Sequence, residues 1–176
     1  MDEGGDMPAT VTKTIDQVIE ALGAYLVAFV PTGTTIIQAA QNRVSMPAAP
    51  CVVLTPISNT PIEVARQTGT GQTATVAMPA KLDVQVDFYG DDAGNWCRAA
   101  SAAFRTIYGM GLFPDDIAPL HADDGRQAPM ITGEQQYLMR WIMTTSLQYV
   151  PSFTAAQESA LTLTPALSAA DVVFPI

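Results

Sequence analysis

Asp83, Asp87, Asp91 and Asp92 place four carboxylates within ten residues of chain. A two-metal phosphatase or nuclease needs such groups converging on Mg²⁺, so a metal-dependent hydrolase would work through the Asp87–Asp92 acidic cluster. Local structure gives each residue a simpler role. Asp83 and Asp87 fall on the polar side of an alternating segment, and Asp91-Asp92 lies where the positive end of a helix dipole attracts negative charge. The run Gly69 to Thr73 has the flavour of a phosphate loop, but Gln72 stands where the phosphate-binding Lys is required. Asp115-Asp116 and Asp123-Asp124 flank Pro119 and the single histidine, His121, in the setting of solvated loop acids. No Glu completes a calcium-loop spacing there. Cys97 sits near a predicted helix start, where a thiol pKa can fall, but its neighbours Trp96, Ala99 and Ala100 predict a packed thiol. No catalytic residue, metal site or cofactor is expected.

Composition narrows the field further. A chain of 176 residues with 48% hydrophobic residues is one domain's worth of sequence and can bury on the order of 70% of its unfolded surface. Its formal net charge of −9 opposes a protein that reads nucleic acid by neutralising phosphates, or one that docks on an anionic membrane. The two cysteines, Cys51 and Cys97, have no metal or redox spacing and read as buried thiols in a reducing compartment. The acidic start of the chain lacks the basic region of an export signal. The longest apolar stretch, Val18 to Val30, is broken by Glu20 and Gly23 and is short for a bilayer span. These features predict a soluble chain made in the cytoplasm.

The elements that position these residues follow from periodicity. Ile15, Val18, Ile19, Leu22, Tyr25, Leu26 and Phe29 repeat as one helical face. Thr12 or Thr14 caps that helix, and Pro31-Thr32-Gly33 stops it. Thr34 to Gln38 reads as a short β segment, Gln41 to Pro50 as a loop, and Cys51 to Thr55 as a buried strand. Asn59 to Pro79, rich in Thr and Gly, predicts a long hairpin arm or mobile loop. Lys81 to Tyr89 alternates strictly, with Leu82, Val84, Val86 and Phe88 on a core face and Lys81, Asp83, Gln85 and Asp87 on a wet one. A second helix follows Asp91-Asp92, with Trp96, Ala100, Ala103, Phe104 and Ile107 in one stripe ended by Gly109 and Gly111. Phe113 to Ala128 reads as irregular, and Tyr137 to Tyr149 as a long antiparallel strand. The fold class is α+β: a mostly antiparallel sheet with two helices packed on one face, a long hairpin loop and a C-terminal extension. The expected organisation is a flexible N-terminus over 1–11, one domain over 12–150 and a C-terminal arm over 151–176.

A charge-poor Thr/Gly loop, a charge-poor tail and open sheet edges suit assembly more than catalysis. Three local signatures strengthen that view. Ile36-Ile37-Gln38 leads to Gln41-Asn42-Arg43 and the prolines Pro47 and Pro50 ahead of Cys51 to Thr55. Val84-Gln85-Val86-Asp87-Phe88-Tyr89-Gly90 precedes an Ala-rich helix, and a late strand ends in Gln148-Tyr149. Across Thr12 to Val150 the chain resembles the neck or tail terminator proteins of contractile-tailed bacteriophages and prophages.

The resemblance implies a non-enzymatic virion protein that forms a ring, typically a hexamer, on the end of a completed tail tube. Such a ring stops tube growth, joins the tail to the head-side connector and leaves a channel for DNA. The implied partners are further copies of the chain, the tail tube protein, the head-side connector or neck protein, and the tail sheath as a further neighbour. Genomic DNA passes without specific binding, and no membrane is involved. Asp83 and Asp87 are candidate lumen acids that would repel passing phosphates. Val172, Val173 and Phe174 are candidate anchors on a neighbouring subunit. Three other readings stay open: another head–tail connector or completion adaptor, the hydrolase described above, and a small cytoplasmic binding module unrelated to phage.

Overall fold

The computed structural model describes residues 11–39, 46–70, 73–128, 130–131 and 137–156. The chain opens with a two-residue strand, β1 (Val11–Thr12), and the helix α1 (Ile15–Val27). Thr14 caps α1 through a reciprocal box: its hydroxyl accepts the Gln17 amide, and the Gln17 side chain accepts the amide of Thr14. Two strands follow, β2 (Thr35–Gln38) and β3 (Cys51–Pro61), paired in parallel. Next comes the hairpin of β4 (Arg66–Thr70) and β5 (Thr73–Ala77), and then the central strand β6 (Ala80–Tyr89). The helices α2 (Ala93–Phe104) and α3 (Ile107–Met110) precede β7 (Ile117–Ala122) and β8 (Arg126–Gln127). A small pair, β9 (Met130–Ile131) and β10 (Tyr137–Leu138), leads into β11 (Arg140–Tyr149) and β12 (Ser152–Ala156).

The main sheet runs β2-β3-β6-β11-β7, with β8 also on β11. All of its pairings are antiparallel except β2 with β3, which makes this an α+β fold on a mostly antiparallel sheet. Side chains on successive strand residues point to opposite faces. Val52 and Leu54, then Leu82, Val84, Val86 and Phe88, then Met143 and Leu147 therefore make one continuous apolar layer. Helix α1 covers it with Val18, Ile19, Leu22 and Leu26, and α2 with Cys97, Ala100 and Phe104. The helices meet through Tyr25, whose hydroxyl donates to the Ala100 carbonyl at 2.6 Å and whose ring stacks on Phe113 and meets Phe104 edge-on.

The second sheet, β1-β12-β5-β4, is an outgrowth of the first. Strands β3, β6 and β11 continue past short breaks into β4, β5 and β12, and the Ile62 amide to Pro79 and Met78 amide to Pro151 hydrogen bonds bind the junction. The stretch expected as an arm or loop is thus a hairpin arm. The segment from 151, expected to start the C-terminal arm, is through Ala156 a strand of that same sheet.

Several expectations are corrected. The second helix ends at Phe104, not beyond Ile107: the Thr106 hydroxyl donates to Ala103 and accepts the Gly109 amide, starting α3 as a separate turn that turns Ile107 outward. The strand from Cys51 runs on to Pro61, its register shifting between Pro56 and Ser58. The irregular stretch after Phe113 contains β7, which among the described residues is an edge strand and admits Pro119 because one side of its backbone has no ladder to join. The strand expected from Tyr137 starts at Arg140, after a break at Met139. Asp92 occupies the first cap position of α2, but its carboxylate accepts the Asn95 side-chain amide at 2.5 Å instead of a backbone amide.

Gly90, between β6 and α2, has φ +146°, and a Cβ there would meet the Trp96 ring at 2.9 Å. Only glycine makes this tight passage from strand to helix without strain. Phe88 is fully buried at the centre of the apolar layer. Replacement by Ala is expected to destabilise the fold by about 3–5 kcal/mol, read as a lower midpoint of urea unfolding at unchanged slope.

Candidate functional site

The acids singled out in the sequence do not form one centre. Asp83 and Asp87 lie on the sheet face away from the helices, expected to be wet, yet Asp87 is only 3% exposed. The register explains why: Arg140 sits across from Tyr89, two residues past Asp87 and on the same face, and folds back over it. Its Nε and Nη2 both donate to Asp87 Oδ1, at 3.0 and 2.9 Å, while Gln85 Nε2 donates to both carboxylate oxygens. The guanidinium also lies 5.8 Å from the centre of the Tyr89 ring.

Asp83 is held by a second network in the same row of strands. Ser58 donates to one carboxylate oxygen at 2.7 Å, Ser146 to the other at 2.5 Å, and Lys81 pairs at 3.1 Å. Burial pushes this carboxyl up, but the hydrogen bonds from Ser146, Ser58 and Lys81 together with the charge of Lys81 outweigh it and hold the pKa below the ordinary value.

Asp115-Asp116 and Asp123-Asp124 stand at opposite ends of β7 and so make two surface positions. Asp116 pairs with Lys13, Asp124 with Arg105, and His121 Nε2 lies 3.0 Å from Asp123 Oδ1, both side chains open to solvent. Cys97 is fully buried, and burial pushes its thiol up to about 11, so it is no activated nucleophile. Residues 69 and 70 lie in the β4 end of the hairpin, 73 starts β5, and Gln72 is outside the described residues. Val172, Val173 and Phe174 also lie outside them. Among the described residues, no three His, Cys, Asp or Glu side chains gather as a metal site, and no helix is long and apolar enough to cross a membrane.

The surface instead offers recesses and a projection that the sequence reading missed. Beside α2, a recess of about 590 Å³ is lined by Asn95, Arg98, Arg105, Asp124 and Trp141. A Cβ at Gly94 would meet the Trp141 indole at 2.8 Å, so glycine lets the helix rest on that ring. A groove of about 440 Å³ runs between α1 and β2, with Ile19, Gly23, Ile36 and Leu54 inside and Asp16 and Glu20 at its rim. On α3, Ile107, Tyr108 and Met110 stand out into solvent. This surface, with a sheet that ends in β2 on one side and β7 on the other, is equipped for protein contacts.

The fold is thus α+β, with Asp83 and Asp87 held in cross-strand networks and apolar side chains exposed on α3. Over residues 16–169 the chain matches the family model described as phage neck terminator protein, and it belongs to that family. No curated protein matches the chain. Among solved structures it is similar to the sheath/tube terminator of an extracellular contractile injection system, PVC, in the extended state, at 14% identity and a TM-score of 0.48. The similarity covers 94% of this chain, which spans 66% of the length of that terminator.

Two outcomes follow for the locked acids. Arg140→Ala, which strands a buried Asp87, is expected to cost about 3–5 kcal/mol in chemical unfolding, and replacing both partners by apolar residues should recover most of it. For Asp83, the folded pKa lies below that of the unfolded chain. Its stabilisation is fully present above the unfolded value of about 3.9 and is lost as pH falls through the folded value. Acid unfolding of Asp83→Asn should therefore lack that part of the pH dependence, measured by circular dichroism between pH 5 and 2.

Proposed function

We propose that the protein caps a completed phage tail tube as a ring, six copies in number, and joins it to the head-side connector. The family match over residues 16–169 carries this reading. Capping requires a face that fits the last layer of tube protein and offers no new site for the next, which a terminating ring supplies without any chemical step. The ring binds tail tube protein on one side and the connector or neck protein on the other, with tail sheath as a further neighbour, and so resides in the virion. Val172, Val173 and Phe174 anchor on a neighbouring subunit in this reading.

A channel through the ring lets DNA pass without holding it. Each subunit brings a formal charge of −9, so the assembly repels phosphates and offers no dense cationic track. Asp83 and Asp87 are proposed as channel acids. Because Lys81 and Arg140 accompany them, their own share of the repulsion is small, and acids without such partners supply most of the field.

The test is the mass of the purified chain by light scattering across concentration, with and without tail tube protein, together with tube length by electron microscopy. A discrete ring, formed alone or only on tube ends, and an arrest of tube growth are expected. A chain that stays monomeric and leaves tube length unchanged would overturn the reading.

A further inference from the structure

We infer that the chain after β12 folds back over the hairpin arm and lays Leu161 and Leu163 on the apolar face of its own β1-β12-β5-β4 sheet. Directly opposed residues of paired strands share a face, and successive residues alternate between faces. Val11, Phe153, Val76 and Gln67 therefore stand in one cross-strand row, with Ala155, Ala74 and Gly69 in the next row of the same face. The rows Thr12-Ser152-Ala77-Arg66 and Thr154-Thr75-Thr68 turn the other way, with the Thr12 and Ser152 hydroxyls 2.6 Å apart. One face of the arm is thus rich in hydroxyls, and the other holds no charged residue.

The apolar face prolongs the line of the core. Beneath the helices the inward positions are the even residues of β6 and the odd residues of β11, and the same parity runs on into Val76 and Ala74 of β5 and Phe153 and Ala155 of β12. None of these four belongs to the core beneath α1 and α2. Val11 is 49% and Phe153 36% exposed, Val76 and Ala155 are half-buried, and Ala74 alone is buried. A sheet with one hydroxyl face and one apolar face is stable when a further layer takes the apolar one.

The occupant is the chain's own continuation, by where it starts and what it carries. Strand β12 ends at Ala156, opposite Thr73 at the tip of the hairpin. Residues 157–176 follow, with Glu158 and Asp171 their only charges. Gln157 to Ala160 has the length of a reversing loop, and Leu161-Thr162-Leu163-Thr164 then alternates apolar with hydroxyl, as the arm's own strands do. An extended chain spans at most about 3.6 Å per residue, so Leu161 lies within about 18 Å of Ala156 and Leu163 within about 25 Å. Ala155 is adjacent to that point, and Phe153 is about 10 Å back along the strand. So short a tether holds both leucines over their own arm at an effective concentration on the order of millimolar, ahead of any other copy. Pro165 ends the alternation, and Val172 to Phe174 then set out from the base of the arm instead of its tip.

The experiment keeps the full chain. Leu163→Cys is combined with Val76→Cys and treated with a short bismaleimide; Cys51 and Cys97 are buried, and Leu163→Cys alone is the control. A link within one subunit is expected, running at the mass of one subunit on a denaturing gel, with the joined peptides identified by mass spectrometry. A second variant, Leu161→Asp with Leu163→Asp, is read by amide hydrogen exchange. The amides of β5 and β12 should exchange about tenfold faster or more, because two leucines lose their burial there, while those of β6 keep their protection. A link between subunits, no link at all, arm exchange that does not change, or a rise shared equally by β6 would overturn the contact. Light scattering with tail tube protein judges the ring separately, so the failure of either reading leaves the other standing.

Discussion

Strand β6 is paired at every residue on both sides, to β3 and to β11, and this double pairing is the constraint from which the rest of the body follows. A strand so enclosed cannot slip by one residue without turning its whole apolar row away from the helices. The register fixed by Leu82, Val84, Val86 and Phe88 therefore fixes which residues of β3 and β11 face α1 and α2. It equally fixes the opposite row, where Asp83 and Asp87 meet Ser58, Ser146 and Arg140. One pattern of alternation thus builds the core and pairs the acids.

The acids illustrate how burial changes meaning. A carboxylate near Mg²⁺ and a carboxylate under an arginine look alike in sequence, and both sit in enclosed places. Here Arg140 and Gln85 fill the donor positions around Asp87, and two serines and a lysine fill those around Asp83. These contacts leave the acids acting as cross-strand clasps. The surface that remains for function is made of shape: a turn that stands out, a groove, and sheet edges.

How much of this was legible depended on how local the cause was. The strand through Lys81 to Tyr89 and the helix capped by Thr14 were readable because period and cap lie within a few residues of each other. The second half of β3 was hidden by Pro56 and the polar run after it, and β7 by Pro119, since neither retains clean alternation. Ile107 deceived in the other direction: it continues the helical spacing from Phe104, and only the Thr106 hydroxyl, diverted to Ala103 and Gly109, breaks the helix. The Asp87–Arg140 clasp joins positions 53 apart, so it needed the strand register, which no spacing in the sequence encodes. The exposed α3 turn and the α1–β2 groove were missed for the same reason, being products of which side each element turns to solvent.

The continuity of β3, β6 and β11 into the hairpin arm has a mechanical consequence. A pull applied along the arm is carried by the same backbones into the middle of the main sheet, where it acts parallel to the strands. Many hydrogen bonds then share the load at once, whereas a pull across the sheet would open them one after another. The arm is therefore a strut, stiff along its length, whose anchorage is the central strand itself.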